Sequence, residues 1–512
     1  MDQLEKSLQQ NFKLSSFRTG QREIIESILS GQDVLAIMPT GGGKSLCYQL
    51  PAVMRSGLTI VVSPLIALMN DQVAGLNALG IPAGCIHSGL SLNERKKVFQ
   101  DIAQSENYLL YLSPERIQKP GFAPWLYRQT VNLFAIDEAH CVSQWGHDFR
   151  PEYSQLQILR QVKPSVSMVG LTATATPIVK RDIIRQLGLN RPDQHVYGFY
   201  RPNLYYQVEF CADDFEKEAL VLKAIEKNPE GRVIIYCGTR KKTEEWAYFL
   251  SNKGESVAFY HAGLSSNERT QMEQDYAQGK TRILAATNAF GMGVDHPDVR
   301  LVVHTQMPGN IESYYQEIGR AGRDGKPATC LMAYSKKDRG LQSFFITQST
   351  ASGTIKNQRW SALNAMVHYA EGSECRHADI LTYFRDQKRI ENCGHCDTCS
   401  PEDARKVYIP EGVWPRVEMV QAKISRVSKR RAKKTVLDTD LSAEQQLLAD
   451  AIRQWRKEYA KKNDQPAFMI FSDKTLRDLV LKRPSCETSL AEVYGLGAKK
   501  IEDFGEELLS LL

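Results

Sequence analysis

Three consecutive glycines followed by Lys44 and Ser45 make residues 38–45, MPTGGGKS, the most chemically distinctive stretch of the sequence. The apolar run VLAI precedes this stretch, and an apolar helical pattern follows it. Backbone N–H groups in a glycine-rich turn before a helix can surround phosphates, Lys44 can neutralise them, and the Ser45 hydroxyl suits Mg²⁺. We therefore predict a nucleotide site rather than a simple strand–helix turn. Its residues are Thr40, Gly41, Gly42, Gly43, Lys44 and Ser45.

An acidic pair, Asp137 and Glu138, follows another apolar run, LFAI. Two adjacent carboxylates at the end of a buried strand are costly without a cation, whereas a solvated turn would carry them freely. The buried case assigns Mg²⁺ binding to Asp137 and the orientation or deprotonation of a water to Glu138. His140, beside the pair, is assigned a relay role, although a lone histidine is often structural.

Two arginines, Arg320 and Arg323, lie three positions apart in QEIGRAGRDG at residues 316–325. This spacing predicts that they share one helical face. Such arginines can neutralise the charge that develops on a transferred γ-phosphate, while an exposed helix with ordinary ion pairs is the alternative. We count Gln316 with these two arginines among the catalytic candidates.

Aromatic and basic side chains cluster directly after the acidic pair, at Trp145, His147, Phe149 and Arg150. Aromatic and arginine side chains stack on the bases of single strands, with about 1–3 kcal/mol per base. We therefore predict a nucleic-acid contact that reports strand occupancy to the hydrolytic site. Packing of the aromatic residues in an ordinary core is the alternative.

Four cysteines form a second cluster, in which Cys375 precedes the closely spaced Cys393, Cys396 and Cys399. Four thiolates at this spacing suit a closed, tetrahedral, structural Zn²⁺ site. His395 is a competing ligand, and an iron–sulfur cluster is a less favoured occupant. The start of the sequence, MDQLEKSLQQ, is not a secretory signal, so we expect a reducing cytoplasmic compartment.

The first 340 residues alternate short apolar runs, such as LTIVVSPL and RVIIYCGTR, with helical patterns, which is typical of parallel sheets. HSGLSLNER at residues 87–95 recurs as HAGLSSNER at residues 261–269, which indicates two copies of one lobe. We predict an α/β fold with five parts: lobes at residues 1–207 and 208–340, a helical zinc-binding module at 341–405, a basic linker at 406–440 and a small all-α domain at 441–512.

The bulk composition is that of an ordinary multidomain globular protein, with 512 residues, 42% hydrophobic and 24% charged. No apolar run reaches the roughly 18 residues of a membrane-spanning helix, so no membrane partner is expected. A net charge of +6 is compatible with nucleic-acid binding without requiring it.

The order of these motifs resembles that of superfamily 2 helicases: MPTGGGKS, DEAH, TATAT at residues 172–176, and QEIGRAGRDG. More narrowly, FRTGQREII at residues 17–25 and CVSQWGHDFRPEY at residues 141–153 resemble the RecQ family of DNA helicases. The resemblance implies two RecA-like lobes, a zinc-binding module and a C-terminal HRDC module. It also implies that Arg18 and Gln21 recognise adenine, although Leu14 stands where the family usually has a stacking aromatic residue.

The resemblance further implies a motor that uses ATP and Mg²⁺ to move 3′ to 5′ on single-stranded DNA and to unwind tailed duplexes, in recombination, repair and the SOS response. An RNA helicase, or a DNA-stimulated translocase or scaffold with little strand separation, is the alternative. Only some 40 residues separate the zinc-binding and HRDC modules, so the family's winged helix is expected to be absent. The basic run at residues 423–434 would add salt-sensitive affinity.

For location and partners, the resemblance implies a bacterial-type, cytoplasmic, nucleoid-associated monomer. Its candidate protein partners are single-strand-binding and repair proteins. One structural Zn²⁺ is expected beside ATP and Mg²⁺.

Overall fold

A computed structural model describes residues 2–146, 148–290, 296–410, 442–462, 470–471, 473–493, 496 and 498–512. Residues 1–413 form one compact unit, and residues 414–512 form a second. Within the described ranges, no helix is both long enough and apolar enough to cross a membrane. The predicted contact residue His147 and nearly all of the predicted basic linker lie outside the described residues.

Seven strands build the first sheet: β1 (Val34–Ile37), β2 (Gly57–Val62), β3 (Ala83–Ile86), β4 (Asn107–Leu112), β5 (Val131–Ile136), β6 (Met168–Thr172) and β7 (Asp193–Val196). Their order is β3-β4-β2-β5-β6-β1-β7, and every neighbouring pair is parallel. The acidic motif after β5 and the glycine-rich turn after β1 therefore lie at the same edge of the sheet, two strands apart.

Six strands build the second sheet: β8 (Leu204–Phe210), β9 (Arg232–Tyr236), β10 (Val257–Tyr260), β11 (Ile283–Ala286), β12 (Val299–His304) and β13 (Ala328–Tyr334). Their order is β10-β11-β9-β12-β13-β8, again with parallel pairs. The two parallel-sheet lobes of the predicted fold class are thus confirmed.

Helices pack on these sheets and continue into a helical module at the end of the first unit. Their bounds are Gln3–Phe12, Gln21–Leu29, Lys44–Met54, Ile66–Ala78, Leu92–Gln104, Pro114–Ile117, Phe122–Arg128, Gln157–Val162, Pro177–Leu187, Asp214–Lys227, Arg240–Ser251, Ser266–Ala277, Ile311–Ile318, Lys336–Gln348, Gly353–Glu371 and Arg376–Tyr383. Short 3₁₀ turns are Ala139–Val142 and Pro151–Gln155. The central strands are buried on both faces, which explains why their sequences are continuous apolar runs rather than alternating ones.

The repeated nonapeptide has the same geometry in both lobes. The amide of Gly89 donates to Nδ1 of His87 at 3.1 Å, and the amide of Gly263 donates to Nδ1 of His261 at 3.2 Å. In each copy a serine–glutamate capping box then starts a helix. The sequence echo therefore reflects a strand–turn–helix unit present in both sheets.

The change from the first sheet to the second occurs before the predicted boundary at residue 207. Strand β8 pairs with β13 along its whole length, from Leu204 to Phe210, so it belongs entirely to the second sheet. The connection between the sheets is residues 197–203. A lobe boundary at residue 207 would divide β8, and a strand that joins a distant partner has no local mark in the sequence of which sheet it enters.

The helical module that contains the four cysteines covers the edge strand β8. The backbone amide of Asp397 donates to the carbonyl of Tyr206 at 2.9 Å, and its carboxylate accepts from the amide of Val208 at 2.9 Å. The same carboxylate pairs with Arg376 through a buried Nε–Oδ1 contact of 2.9 Å. One short segment thereby satisfies backbone groups that an edge strand would otherwise expose.

The second unit is helical in its described part, with helices Ala443–Lys462, Asp473–Lys482, Glu487–Leu490 and Ala498–Leu509. Its core contains Ile452, Leu479, Phe504 and Leu508, all buried. This agrees with the predicted small all-α domain.

The buried pair between Arg376 and Asp397 leads to a stability prediction. Asp397→Ala should lower the free energy of unfolding by about 3–5 kcal/mol, because it leaves a buried guanidinium without its counter-charge. Asp403→Ala is the matched control, since the pair of Asp403 with Arg405 is partly exposed and should contribute less than about 1 kcal/mol. Urea unfolding of both variants in excess zinc measures the difference, and equal losses would contradict this account.

Candidate nucleotide and nucleic-acid site

The phosphate loop, residues 39–45, turns tightly between β1 and the following helix. Gly41 and Gly43 have φ values of +80° and +76°, which glycine adopts without the penalty that other residues meet. A Cβ on Gly42 would lie 2.9 Å from the carbonyl oxygen of Pro39. Thr40 Oγ1 is buried and, among the described residues, has no hydrogen-bond partner. The loop therefore suits a ligand whose polar atoms can hydrogen-bond to the Thr40 hydroxyl and to the backbone of the turn.

Lys44 and Ser45 begin the helix Lys44–Met54 at the end of this loop. The helix N-terminus directs free backbone N–H groups toward the loop, as an anion site requires. The charge of Lys44 lowers the pKa of Asp137, so the cation lies close to the acidic motif. The structure thus brings together the lysine, the serine and the first carboxylate that the sequence separates by 93 positions.

The predicted adenine-recognition residues lie against the phosphate loop. The Gln21 side chain accepts from the Arg18 amide at 2.7 Å and donates to the Gly43 carbonyl at 3.0 Å. The Arg18 guanidinium donates to the Gly41 carbonyl. The ring of Tyr197 packs so closely on Gly20 that a Cβ there would lie 2.4 Å from it. No motif pointed to this aromatic ring beside Gln21.

The acidic motif follows β5 with an unusual backbone. Glu138 has a φ of +47°, a left-handed conformation that is uncommon outside glycine and that often marks functional sites. Its amide donates to the carboxylate of Asp137 at 3.0 Å. Nδ1 of His140 lies 3.3 Å from a carboxylate oxygen of Glu138. The turn therefore places the amide of Glu138 against the Asp137 carboxylate and the carboxylate of Glu138 beside His140.

Two pKa shifts follow from this crowding. Burial and the Glu138 carboxylate raise the pKa of Asp137 to about 7, against the opposite effect of Lys44. Burial alone would lower the pKa of His140, but the Cys141 sulfur and the Glu138 carboxylate outweigh it and raise the pKa to about 10. Asp137 is thus a buried acid that keeps its proton up to about neutral pH. A divalent cation beside it would supply the positive charge that stabilises its ionised form.

A chain of hydrogen bonds, here called the inter-lobe path, leads from the acidic motif to the second lobe. Nδ1 of His140 lies 2.9 Å from Oγ1 of Thr172, and that hydroxyl donates to the carbonyl of Thr174 at 3.1 Å. The Gln316 side chain then donates to Oγ1 of Thr174 at 3.3 Å. Gln316, which shares a sequence motif with the two arginines, is thus linked to His140 by hydrogen bonds through the TATAT motif.

The arginine loop, residues 319–323, meets the phosphate loop across the cleft. A Cβ on Gly41 would lie 3.1 Å from Cγ of Arg323, and a Cβ on Gly319 would lie 2.8 Å from Oγ1 of Thr40. The prediction that Arg320 and Arg323 share a helical face is wrong, because the helix ends at Ile318. The chain then turns, and the amide of Gly322 donates to the carbonyl of Val299 at 2.9 Å. Tertiary pairing with β12 thus overrides the helical spacing.

The aromatic-rich loop, residues 141–153, lies beside the acidic motif and is held by contacts at several points. The hydroxyl of Tyr153 donates to the carbonyl of Asp137 at 3.1 Å. The Arg150 guanidinium contacts Asp148 and donates to the carbonyl of Pro64 at 3.1 Å. The Gln358 side chain, from the helical module, donates to the carbonyl of Trp145 at 3.0 Å. The Arg150 guanidinium is therefore held by contacts within the protein.

A groove of about 930 Å³ opens between this loop and the helices Lys336–Gln348 and Gly353–Glu371. Its walls combine aromatic rings, half-buried at Trp145 and Phe149 and exposed at Phe345, with the basic side chains of Arg181 and Arg359. Rings and cations along one groove are the combination that single-stranded nucleic acid needs. Gln358 and Phe345 belong to no motif and could not be found from local sequence.

The sulfur atoms of Cys375, Cys393, Cys396 and Cys399 all lie within 4.8 Å of one another. The amide of His395 donates to Sγ of Cys393 at 3.3 Å, and that of Cys399 donates to Sγ of Cys396 at 3.4 Å. Hydrogen bonds from the neighbouring thiols lower the pKa of Cys396. Such a nest of sulfurs, stabilised by amides, fits a tetrahedral Zn²⁺ ion. A second group consists of His377, Cys393 and His395, whose candidate ligand atoms also lie within 4.8 Å of one another.

Four family models match the chain. They are the DEAD/DEAH box helicase at residues 18–182, the helicase conserved C-terminal domain at 216–325, RecQ zinc-binding at 336–400 and the HRDC domain at 445–512. The chain is 33% identical to the ATP-dependent DNA helicase RecQ of Haemophilus influenzae, over 98% of this chain and 94% of the relative. The chain belongs to the RecQ family of ATP-dependent DNA helicases.

Other relatives of this RecQ-family chain agree. The probable ATP-dependent DNA helicase RecS of Bacillus subtilis is 44% identical over 75% of this chain and 77% of its own length. Among solved structures, the Mycobacterium smegmatis helicase Lhr bound to single-stranded DNA and AMP-PNP has a TM-score of 0.53 at 21% identity, covering 68% of this chain and 49% of Lhr. Yeast Dbp5 bound to RNA reaches 0.55 at 18% identity, over 72% of this chain and 92% of Dbp5. The structural likenesses show the shared fold.

The raised pKa of Asp137 predicts how nucleotide binding depends on pH. Below pH 7 the carboxyl holds a proton that Mg²⁺ must displace, so Mg²⁺-dependent affinity for ATP should be roughly tenfold weaker at pH 6 than at pH 8. The stability of the ligand-free protein changes with pH in the opposite direction. Between about pH 4 and 7 the folded protein keeps a proton on Asp137 that the unfolded chain releases, so this group lowers the free energy of unfolding as the pH rises.

Titration of a fluorescent ATP analogue at each pH, with and without Mg²⁺, measures the effect. Asp137→Asn is the control, because it should lose both the Mg²⁺-dependent affinity and its pH slope while keeping the titration of the nucleotide itself. An unchanged slope in this variant would assign the pH dependence to another group.

The cysteine cluster predicts one tightly held zinc per chain. Cys393→Ala should lose the metal and melt at a lower temperature, since a four-thiolate site contributes binding energy to folding. Cys486→Ser, at an exposed cysteine outside the cluster, should keep the metal. Elemental analysis and thermal melting of the three proteins provide the test. Iron and visible absorbance in the wild type would instead indicate an iron–sulfur cluster.

Proposed function

We propose that the chain is a motor that hydrolyses ATP to move 3′ to 5′ along single-stranded DNA and to unwind tailed duplexes. The observation that supports this most directly is the inter-lobe path from Glu138 through His140, Thr172 and Thr174 to Gln316. At its first-lobe end, the path begins where the aromatic-rich loop also begins. Hydrolysis, strand contact and lobe movement would then share one set of bonds.

In this proposal, Lys44 pairs with the phosphates, while Ser45 and Asp137 hold Mg²⁺, which supplies charge neutralisation at the β- and γ-phosphates when bound. Glu138, the second carboxylate of the motif, orients the attacking water and takes its proton. The Nδ1–H of protonated His140 donates to Oγ1 of Thr172, and the charge of the ring attracts the Glu138 carboxylate, 3.3 Å away, and keeps it in place.

The second lobe would complete the site. Arg320 and Arg323 follow a helix that starts at Ile311, and Arg323 lies against Gly41 of the phosphate loop. From there both guanidinium groups can reach charge that develops on the γ-phosphate. Closing the cleft thus aligns the arginines, and release of the phosphate lets the lobes separate. Arg18 and Gln21 would recognise adenine after leaving their present contacts with the phosphate loop.

The strand would lie in the groove beside Trp145 and Phe149, with bases against the rings and phosphates near Arg181 and Arg359. We include His147 on sequence grounds. Arg150 would act by fixing the loop, through Asp148 and Pro64, unless strand binding releases it. Because the loop is bonded to Asp137 through Tyr153, a bound strand changes the surroundings of the hydrolytic residues directly.

Strand separation is proposed to proceed without the family's winged helix. The alignment with the H. influenzae relative spans 596 positions, which exceeds the 512 residues of this chain. The relative therefore carries inserted residues, and the short connection between the zinc-binding and HRDC modules is the expected place. The basic segment at residues 423–434 would add sequence-independent affinity for the duplex.

We further propose a role in DNA recombination and repair, a cytoplasmic location and a monomeric state, with single-strand-binding proteins as candidate partners. The domain limits of the sequence analysis stand as proposals, with the lobe boundary moved to residues 197–203. One structural zinc at the four cysteines would hold the helical module in shape.

The deciding experiment measures ATP-dependent strand separation on duplexes with a 3′ tail or a 5′ tail. We expect separation of the 3′-tailed duplex only, because movement on the tail must run toward the junction. Glu138→Gln should bind ATP and DNA yet lower turnover by at least about a hundredfold, as loss of a catalytic acid–base does.

Three other results would change the proposal. Separation of the 5′-tailed duplex would reverse the polarity. DNA-stimulated hydrolysis without separation would identify a translocase. Stimulation by RNA in preference to DNA would favour the RNA helicase alternative.

A further inference from the structure

Arg201 occupies the connection between the two sheets and belongs to none of the motifs described above. It lies in residues 197–203, after the last strand of the first sheet and before the first strand of the second. Only 9% of its surface is exposed. Among the described residues, no carboxylate is within ion-pair distance of its guanidinium. A buried arginine without an acidic partner needs another arrangement of acceptors.

Four backbone carbonyls supply that arrangement. Nη2 of Arg201 donates to the carbonyls of Ala321 at 3.0 Å and Gly322 at 3.1 Å. Nη1 donates to the carbonyls of Thr40 at 3.3 Å and Gly319 at 3.5 Å. Three of these carbonyls belong to the arginine loop of the second lobe, and the fourth belongs to the phosphate loop of the first.

The neighbouring Asn203 provides a comparison within the same turn. Its side chain donates to the carbonyls of Gly322 at 2.8 Å and Lys326 at 2.9 Å. Both acceptors are in the second lobe, so Asn203 holds the region of the arginine loop without reaching the first lobe. Arg201 alone of the two spans the cleft between the lobes.

The backbone around this contact leaves little room for adjustment. A Cβ on Gly319 would lie 2.8 Å from Thr40 Oγ1, and a Cβ on Gly322 would lie 2.4 Å from the Asn203 side chain. Gly322 also has a φ of +55°. The planar guanidinium therefore meets two loops that already lie close together at Gly319 and Thr40, and its fixed fork sets where their carbonyls lie.

We propose that Arg201 is a positioning residue that fixes the spacing between the phosphate loop and the arginine loop, so that Arg320 and Arg323 reach the γ-phosphate when the cleft closes. The inference rests on the proposed ATP-driven function and deepens it. Arg201 keeps its three contacts with the arginine loop throughout the cycle. Its contact with Thr40 is made only when the lobes are close.

This role predicts a separation of kcat from KM. In the ground state Arg201 would contact protein carbonyls and not the bound nucleotide. The affinity of the phosphate loop for ATP should therefore be preserved when Arg201 is replaced. Misplaced arginines would weaken only the transition state, and a displacement of about 1 Å can cost up to a hundredfold in rate. Arg201→Lys keeps the charge but cannot donate to four carbonyls at once.

The experiment compares wild type, Arg201→Lys and Asn203→Ala in DNA-stimulated ATP hydrolysis. We expect Arg201→Lys to lower kcat between about tenfold and a hundredfold with KM for ATP changed less than threefold. It should also weaken binding of ADP with aluminium fluoride, which mimics the transferred phosphoryl group, while leaving binding of a non-hydrolysable ATP analogue unchanged. Asn203→Ala should change each quantity less than threefold.

Equal losses in both variants would show that general order of the arginine loop matters and would overturn the specific role of Arg201. A parallel rise in KM and in the dissociation constant of the ATP analogue would also overturn it, as would unchanged kinetics. Circular dichroism and thermal melting identify a variant that fails to fold, in which case Arg201→Gln, which retains a planar amide donor, takes its place. Absence of DNA-stimulated hydrolysis in the wild type would refute the proposed function itself, which is a separate result.

Discussion

A buried carboxylate at the end of a parallel strand is the constraint on which the rest of this structure depends. Asp137 lies in the protein interior beside a second carboxylate, and burial together with that carboxylate raises its pKa to about 7 against the opposite effect of Lys44. The charge of Lys44, at a helix N-terminus, offsets this effect only in part, which leaves the site suited to a divalent cation. The second lobe brings the arginine loop against the phosphate loop, so both lobes border the candidate nucleotide site.

Communication in the molecule runs through polar groups that have few alternatives. His140 and Thr172 are buried, where a hydrogen bond is stronger than in water and an unpaired polar group is costly. Their hydrogen bonds therefore hold a defined geometry. The aromatic-rich loop is bound at Asp137 by Tyr153 and at the helical module by Gln358. A strand that displaces the loop must therefore disturb bonds at both places. In the proposed motor, coupling between strand binding and hydrolysis would need no long pathway, because the acidic motif and the aromatic-rich loop are consecutive in the chain.

The zinc-binding module has a structural role that extends beyond its metal. Its segment around Asp397 pairs with the edge strand β8, and its helix Gly353–Glu371 forms a wall of the groove. The cysteine cluster, the cover of the edge strand and one wall of the groove thus belong to a single module. Loss of zinc would be felt in the second sheet and in the groove at once, even though the cysteines contact neither the phosphate loop nor the acidic motif.

The sequence by itself determined the chemistry that is local in the chain. The glycine-rich turn, the acidic pair and the cysteine spacing each need only neighbouring residues, and the apolar runs required buried parallel strands. Tertiary structure decided what depends on contacts between distant residues. It assigned strand β8 to the second sheet, ended the helix at Ile318 before the two arginines, and bound Arg150 to Pro64. It also joined Arg201 to both loops, which no motif could indicate, because carbonyl acceptors have no sequence signature and their positions arise only when the two sheets meet.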